Sequence, residues 1–174
     1  MIRYVISALG LFVFALGTWA QNPPHQHAET VIDGAKNPEL IPDSTALRLW
    51  LVTVSELPNA TAQDSDRQRA HLAGLKLNEL DHLQLTILLA DFKGQYLNLI
   101  ERYNESAKAA LAHGGQPDPK LFLQQSDDLV QATKAAIALR LPQCASRVDA
   151  QVQEQKNHIQ LHSQVHTSTM GKGQ

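Results

Sequence analysis

The sequence has a single cysteine, Cys144, among 174 residues. One cysteine excludes an internal disulfide, a Cys-x-x-Cys redox pair and a cysteine-rich zinc site. Charged residues are also few: they make up 18% of the chain and leave a formal net charge of −2. Because nucleic-acid-binding domains usually carry a basic face, this balance argues against nucleic acid as a partner.

The familiar motifs of catalysis and nucleotide binding are missing as well. The chain has no Gly-x-Ser-x-Gly, no His-Glu-x-x-His, no phosphate-binding glycine loop and no Gly-x-Gly-x-x-Gly. Each of these motifs places reactive or phosphate-binding groups on a defined local structure. Their absence favours a non-enzymatic protein. Since distant residues can still assemble a catalytic site, an enzyme with an unrecognised site is kept as a third hypothesis.

Long apolar runs are confined to the first twenty residues, MIRYVISALGLFVFALGTWA. Arg3 precedes the apolar stretch, and Thr18 and Ala20 supply the small residues that precede a cleavage position. This order is typical of a secretory signal peptide, and the run is short for a membrane span. We expect cleavage after Ala20 and export to the periplasm or the extracellular space; an uncleaved N-terminal anchor is the alternative. No later run would hold the mature chain in a membrane.

The mature chain divides into three segments by composition. Residues 21–41 contain three prolines and a glycine and few large apolar side chains, which predicts an irregular N-terminal arm. Residues 42–162 are rich in leucine and alanine at helical spacing and predict one domain. Residues 163–174 lack an apolar stripe and predict a flexible tail.

The 42–162 segment predicts an all-α fold, since no run alternates for long enough to form a sheet. Asp43 is the expected cap of a first helix, and Thr61 with Asp64 has the spacing of a capping box for a second. Asn78 is the expected start of a long central helix, interrupted by Gly94, where we expect a bend or a close helix contact. Its apolar positions form one stripe: Leu85, Leu89, Phe92, Tyr96, Leu99 and Tyr103.

Two further helices complete a predicted small antiparallel bundle of four to five helices. Asp118 and Pro119 have the N-cap and first-turn arrangement that starts a fourth helix. Its expected buried stripe is Phe122, Leu129, Ala132, Ala136 and Leu139. The fifth helix follows Pro142 and carries Cys144, which we interpret as a small buried side chain rather than a reactive thiol.

Histidines are concentrated near the two ends of the mature chain. His158, His162 and His166 are spaced i, i+4, i+8, so a continuing helix would place their imidazoles on one face. Such a face can bind a divalent transition metal, and His25 with His27 near the new N-terminus can do the same. The alternative is that these histidines are solvated side chains in polar segments, without a ligand.

Two resemblances bear on location and function. The stretch VIDGAKNPELIPD, from Val31 to Asp43, resembles the segment after the signal peptide in a group of uncharacterised exported bacterial helical proteins. This resemblance implies a bacterial cell-envelope location and no particular activity. LNELD at 77–81 and LPQCA at 141–145 are more weakly similar to the Leu-Thr-x-x-Gln helix starts of periplasmic envelope-stress chaperone and metal-resistance proteins. Both segments depart from that motif at the threonine and at the glutamine.

The sequence therefore predicts an exported, non-enzymatic helical protein that binds a partner or assists unfolded proteins in the cell envelope. Long amphipathic helices can present apolar surfaces to other chains. Histidine-mediated binding of a divalent metal in the periplasm is the second hypothesis, and it requires no other cofactor.

Overall fold

The computed structural model describes residues 29–58 and 60–164. Within these residues, five helices and two short strands follow one another, with a single 3-10 turn at Pro38–Leu40. The elements are β1 (Glu29–Asp33), α1 (Asp43–Val54), α2 (Ala62–Gly74), α3 (Glu79–Ala112), α4 (Lys120–Arg140), α5 (Pro142–Lys156) and β2 (Gln160–Gln164). The expected all-α bundle with a long α3 is confirmed. The predicted signal peptide lies outside the described residues.

Helix α1 lies at the centre of the bundle, because it is the helix that packs against α2, α3, α4 and α5. Its apolar positions all point inward, and Trp50 and Leu51 are fully buried. The Trp50 indole N–H donates to Gln151 Oε1 on α5 at 2.8 Å. The Gln151 amide in turn donates to the backbone carbonyl of His71 on α2 at 2.9 Å. Gln151 therefore connects α1, α2 and α5 by hydrogen bonds, and the buried indole N–H of Trp50 has a partner.

The predicted helix starts are confirmed where a side chain caps the backbone. Thr61 and Asp64 form a complete capping box, and the Asn78 side chain accepts from the Asp81 amide at 2.8 Å. Two starts differ from the prediction. Asp43 is the first residue of α1 and caps no amide. In α4 the Asp118 side chain accepts from the amide of Lys120 and the helix begins at that lysine, after Pro119.

The predicted buried stripe of α4 is confirmed only in part: Phe122, Leu129 and Ala136 are half-buried, and the last two pack against the core. The buried residues are Ser126, Val130, Thr133 and Ile137. Ala132 and Leu139 face solvent, and Leu139 is 82% exposed. Because alanine and leucine occur on several faces of this helix, its hydrophobic pattern does not define a single inward direction.

The prediction of an irregular arm over residues 21–41 is also wrong for its described part. Strand β1 pairs antiparallel with β2, with Ile32 opposite Leu161. Both of these side chains are half-buried against the core, and Ile41 is fully buried. The arm is therefore part of the packed domain. Its strand depends on a partner about 130 residues later, which no local pattern reveals.

The end of the chain differs from the prediction in the same region. Helix α5 ends at Lys156, and β2 extends through Gln164, two residues into the predicted tail. Residues 165–174 lie outside the described residues. None of the helices in the described part of the chain combines the length and the apolarity needed to cross a membrane.

The expectation of a helix contact at Gly94 is not met within the chain. A Cβ built on this glycine would meet no atom within 4 Å. Gly94 lies on the exposed side of α3, within a continuous helix.

Candidate functional site

Helices α3 and α4 extend beyond the core as a two-helix hairpin, which we define as residues 100–125. No side chain between residues 100 and 125 is buried, whereas α3 is anchored in the core up to Leu99 and α4 from Ser126 onward. The two arms of the hairpin are held together by aromatic side chains. The rings of Tyr103 and Phe122 lie 5.2 Å apart, and those of Tyr96 and Phe122 lie 6.3 Å apart. These contacts lend rigidity to a segment that otherwise lacks core packing.

The free end of the hairpin exposes leucine side chains. Leu111 lies one residue before the end of α3, and Leu121 and Leu123 lie in the first turn of α4. All three are exposed. Single exposed leucines are common, but several at one end of a projection are not. The end of the hairpin is therefore a candidate contact region for another polypeptide, with Leu121 and Leu123 on opposite sides of α4.

A broad groove lies between α3 and α4 beside the hairpin, with a volume of about 930 Å³. Leu99 and Leu129 contribute apolar atoms to its lining. Its charged side chains are Glu101, Arg102, Glu105 and Asp128. The groove is open to solvent along its length, so it does not exclude water in the way that an enclosed catalytic cleft does.

The groups whose pKa is displaced lie elsewhere. The pKa of Asp43 is lowered, first by a hydrogen bond from Lys156, and that of Asp64 is lowered by hydrogen bonds from Thr61. Burial raises the pKa of the Cys144 thiol. Each displacement follows from a helix end or from core packing, and none of these residues lines the groove. In the described part of the chain, these groups do not form the paired acid and base that a catalytic cleft would need.

The burial of Cys144 agrees with the interpretation of this residue as a small apolar side chain. It is 2% exposed and has no disulfide partner. A buried thiol with a raised pKa holds little thiolate at neutral pH, which disfavours nucleophilic chemistry.

The predicted histidine face is wrong in its geometry. His158 lies in the turn after α5 and His162 lies in β2, so no helix aligns them. His166, His25 and His27 lie outside the described residues. Among the residues that the structure describes, no group of three or more His, Cys, Asp or Glu side chains is placed to hold a metal ion. The helical spacing was misleading because the strand pairing of β2 takes over where the helix was expected to continue.

Sequence reasoning missed the leucines at the end of the hairpin. The predicted inward position of Phe122 agrees with its contacts with Tyr96 and Tyr103. Its neighbours Leu121 and Leu123 are each turned by about 100° from it, to opposite sides of the helix. That signal was present, but it indicates exposure only once Phe122 is known to contact α3 and not the core.

Comparison with known proteins adds no relative: no protein-family model matches the sequence, and no curated protein or solved structure matches the chain significantly. The resemblances based on residues 31–43 and on the helix starts therefore stay predictions.

Proposed function

We propose that this chain is an exported, non-enzymatic protein of the cell envelope that binds apolar segments of other polypeptides, as a chaperone-like protein does. The observation that carries the proposal is the group of exposed leucines at the free end of the hairpin. The export part rests on the signal-like composition of the first twenty residues.

Two properties of the hairpin support this role. Its end lies away from the core, so a bound chain can contact it without disturbing the packing of α1. The aromatic contacts of Phe122 fix the two helices relative to each other, which lowers the entropy lost when a partner binds. Exposed leucines on rigid helices can accept many different apolar segments, because their contacts are not directional.

The test uses the protein purified from the exported fraction of its host. A second, unrelated protein that aggregates on dilution from denaturant serves as the client, and its aggregation is followed by light scattering. The scattering should fall as the purified protein is added. The variant with Leu111→Gln, Leu121→Gln and Leu123→Gln should need at least about tenfold more protein for the same effect, since each buried leucine contributes about 1–2 kcal/mol.

The matched control is Leu139→Gln, which replaces a more exposed leucine at the other end of α4. This variant should suppress aggregation as well as the unaltered chain does. The proposal is wrong if the protein is missing from the exported fraction, if it leaves scattering unchanged, or if the triple variant performs like the control.

A further inference from the structure

Helix α3 has a second apolar face, on the side away from the core, which we call the seam. Its members step along the helix by three and four residues: Leu80, Leu83, Ile87, Ala90, Gly94 and Leu97. Leu80, Leu83 and Ile87 are 63%, 57% and 55% exposed. Since each residue turns the helix by about 100°, Ile87 lies roughly 160° from the buried Leu85. The alternating spacing is that of helices that pair along their length.

Gly94 is unexplained by the packing of the chain itself. Glycine within a helix costs about 1 kcal/mol relative to alanine. A Cβ on Gly94 would meet no atom within 4 Å. Nothing in the described residues therefore requires a glycine here. A glycine at an exposed helix position is useful where a second helix approaches closely, because the missing side chain lets the neighbour pack against the backbone.

We propose that the seam pairs with the seam of a second copy of this chain, with the two α3 helices antiparallel. One register sets each large side chain against a small one at the centre of the contact. In this register Ile87 lies opposite Ala90 of the second copy, and Leu83 lies opposite Gly94. At each end, Leu80 lies opposite Leu97. The size match fills the contact without voids, which a stable helix pair requires.

The charge beside the seam also distinguishes the two orientations. Glu101 is the next residue in the seam spacing, and it is exposed. In the antiparallel pair the two Glu101 side chains lie at opposite ends of the contact. A parallel pairing would instead set Glu101 against Glu101 and leave a gap at two facing glycines. Charge and size therefore both favour the antiparallel arrangement.

The contact covers about 25 Å of helix, from Leu80 to Leu97 at 1.5 Å per residue. A single helix pair of this length is a small contact among stable complexes, which bury roughly 1,200 Å² or more in total. We therefore expect a reversible dimer whose population rises with protein concentration.

Sedimentation equilibrium of the purified chain over a range of concentrations tests the pairing. The unaltered chain should form dimers, and Ile87→Glu should be monomeric with unchanged helical circular dichroism, because it places two charges at the centre of the contact. The matched control Leu139→Glu adds the same charge at an exposed leucine away from the seam and should dimerise normally. A monomer at every concentration, or a dimer that survives Ile87→Glu, would overturn the proposal.

Size exchange tests the register. Gly94→Leu and Leu83→Ala should each weaken the dimer several-fold, because the first crowds the contact and the second leaves a void. The double variant should recover the dimer, because a large side chain again faces a small one. Lack of recovery in the double variant would overturn the antiparallel register. The leucines at the end of the hairpin are separate from the seam, so the client assay and the sedimentation experiment fail or succeed independently.

Discussion

Lys156 shows how one residue can join two distant parts of the chain. It is 8% exposed, at the last position of α5, and its ammonium lies 2.5 Å from the Asp43 carboxylate at the start of α1. Hydrogen bonds from Lys156 and Gln153 hold the pKa of Asp43 below its usual value of 3.8. A lowered pKa stabilises the fold above the unfolded-state value, and this contribution is lost as the pH falls through the folded-state value.

Asp43→Asn should therefore destabilise the protein at pH 7 by about 1 kcal/mol. The nearly buried ammonium of Lys156 loses its charged partner, and solvent reduces the effect because the Asp43 side chain is 63% exposed. The mutant and the parent should differ at pH 7 and converge at a pH well below 3.8, where Asp43 becomes protonated in the folded parent. Urea unfolding at the two pH values measures both differences. Asp149→Asn removes the exposed pair with Lys134 and should cost less than about 0.5 kcal/mol. Equal effects of the two substitutions would show that the burial of Lys156 adds nothing.

At the scale of elements, the position of β1 depends on the close approach of Gly34 to the end of α5. Its amide donates to the Ile159 carbonyl at 2.9 Å. A Cβ on Gly34 would lie 1.9 Å from the Lys156 carbonyl oxygen, which belongs to a backbone that cannot turn away. Gly34→Ala should lower the free energy of unfolding by about 3 kcal/mol. As a contrast, Gly94→Ala should raise the free energy of unfolding by about 1 kcal/mol, because alanine favours the helix over glycine. This measurement uses a low protein concentration, at which the proposed dimer is dissociated. A neutral Gly34→Ala in thermal unfolding would contradict the close approach.

At the scale of the whole molecule, Cys144 reports on the opening of the core, because it is the only thiol in the chain. It belongs to the cluster of buried side chains around α1, and burial raises its pKa. The folded protein should react with a thiol reagent at least about a hundredfold more slowly than the unfolded chain, since opening of a stable domain is rare. The reaction should accelerate with urea in parallel with the loss of helical circular dichroism. Rapid labelling without urea would show that α5 opens independently.

The buried face follows the prediction more closely in α3 than in α4. In α3 the buried residues follow the predicted stripe as far as Leu99. In α4 the buried set includes Ser126 and Thr133, although Leu139 is 82% exposed. The hydroxyl of Thr133 donates to the Leu129 carbonyl at 2.9 Å, which satisfies it inside the fold. Hydrophobicity alone therefore ranks these positions wrongly, because burial depends on which neighbouring helix is present.

The sequence by itself determined the features that are local along the chain. The helix starts at Thr61 and Asn78 depend on a side chain that reaches three residues ahead. The all-α class follows from helical spacing over many turns. Only the tertiary structure decided the strand pair β1 and β2, the loss of a common face for His158 and His162, and the exposure of the hairpin end. Each of these depends on a contact between residues far apart in sequence, and such contacts leave no periodic signal in either segment alone.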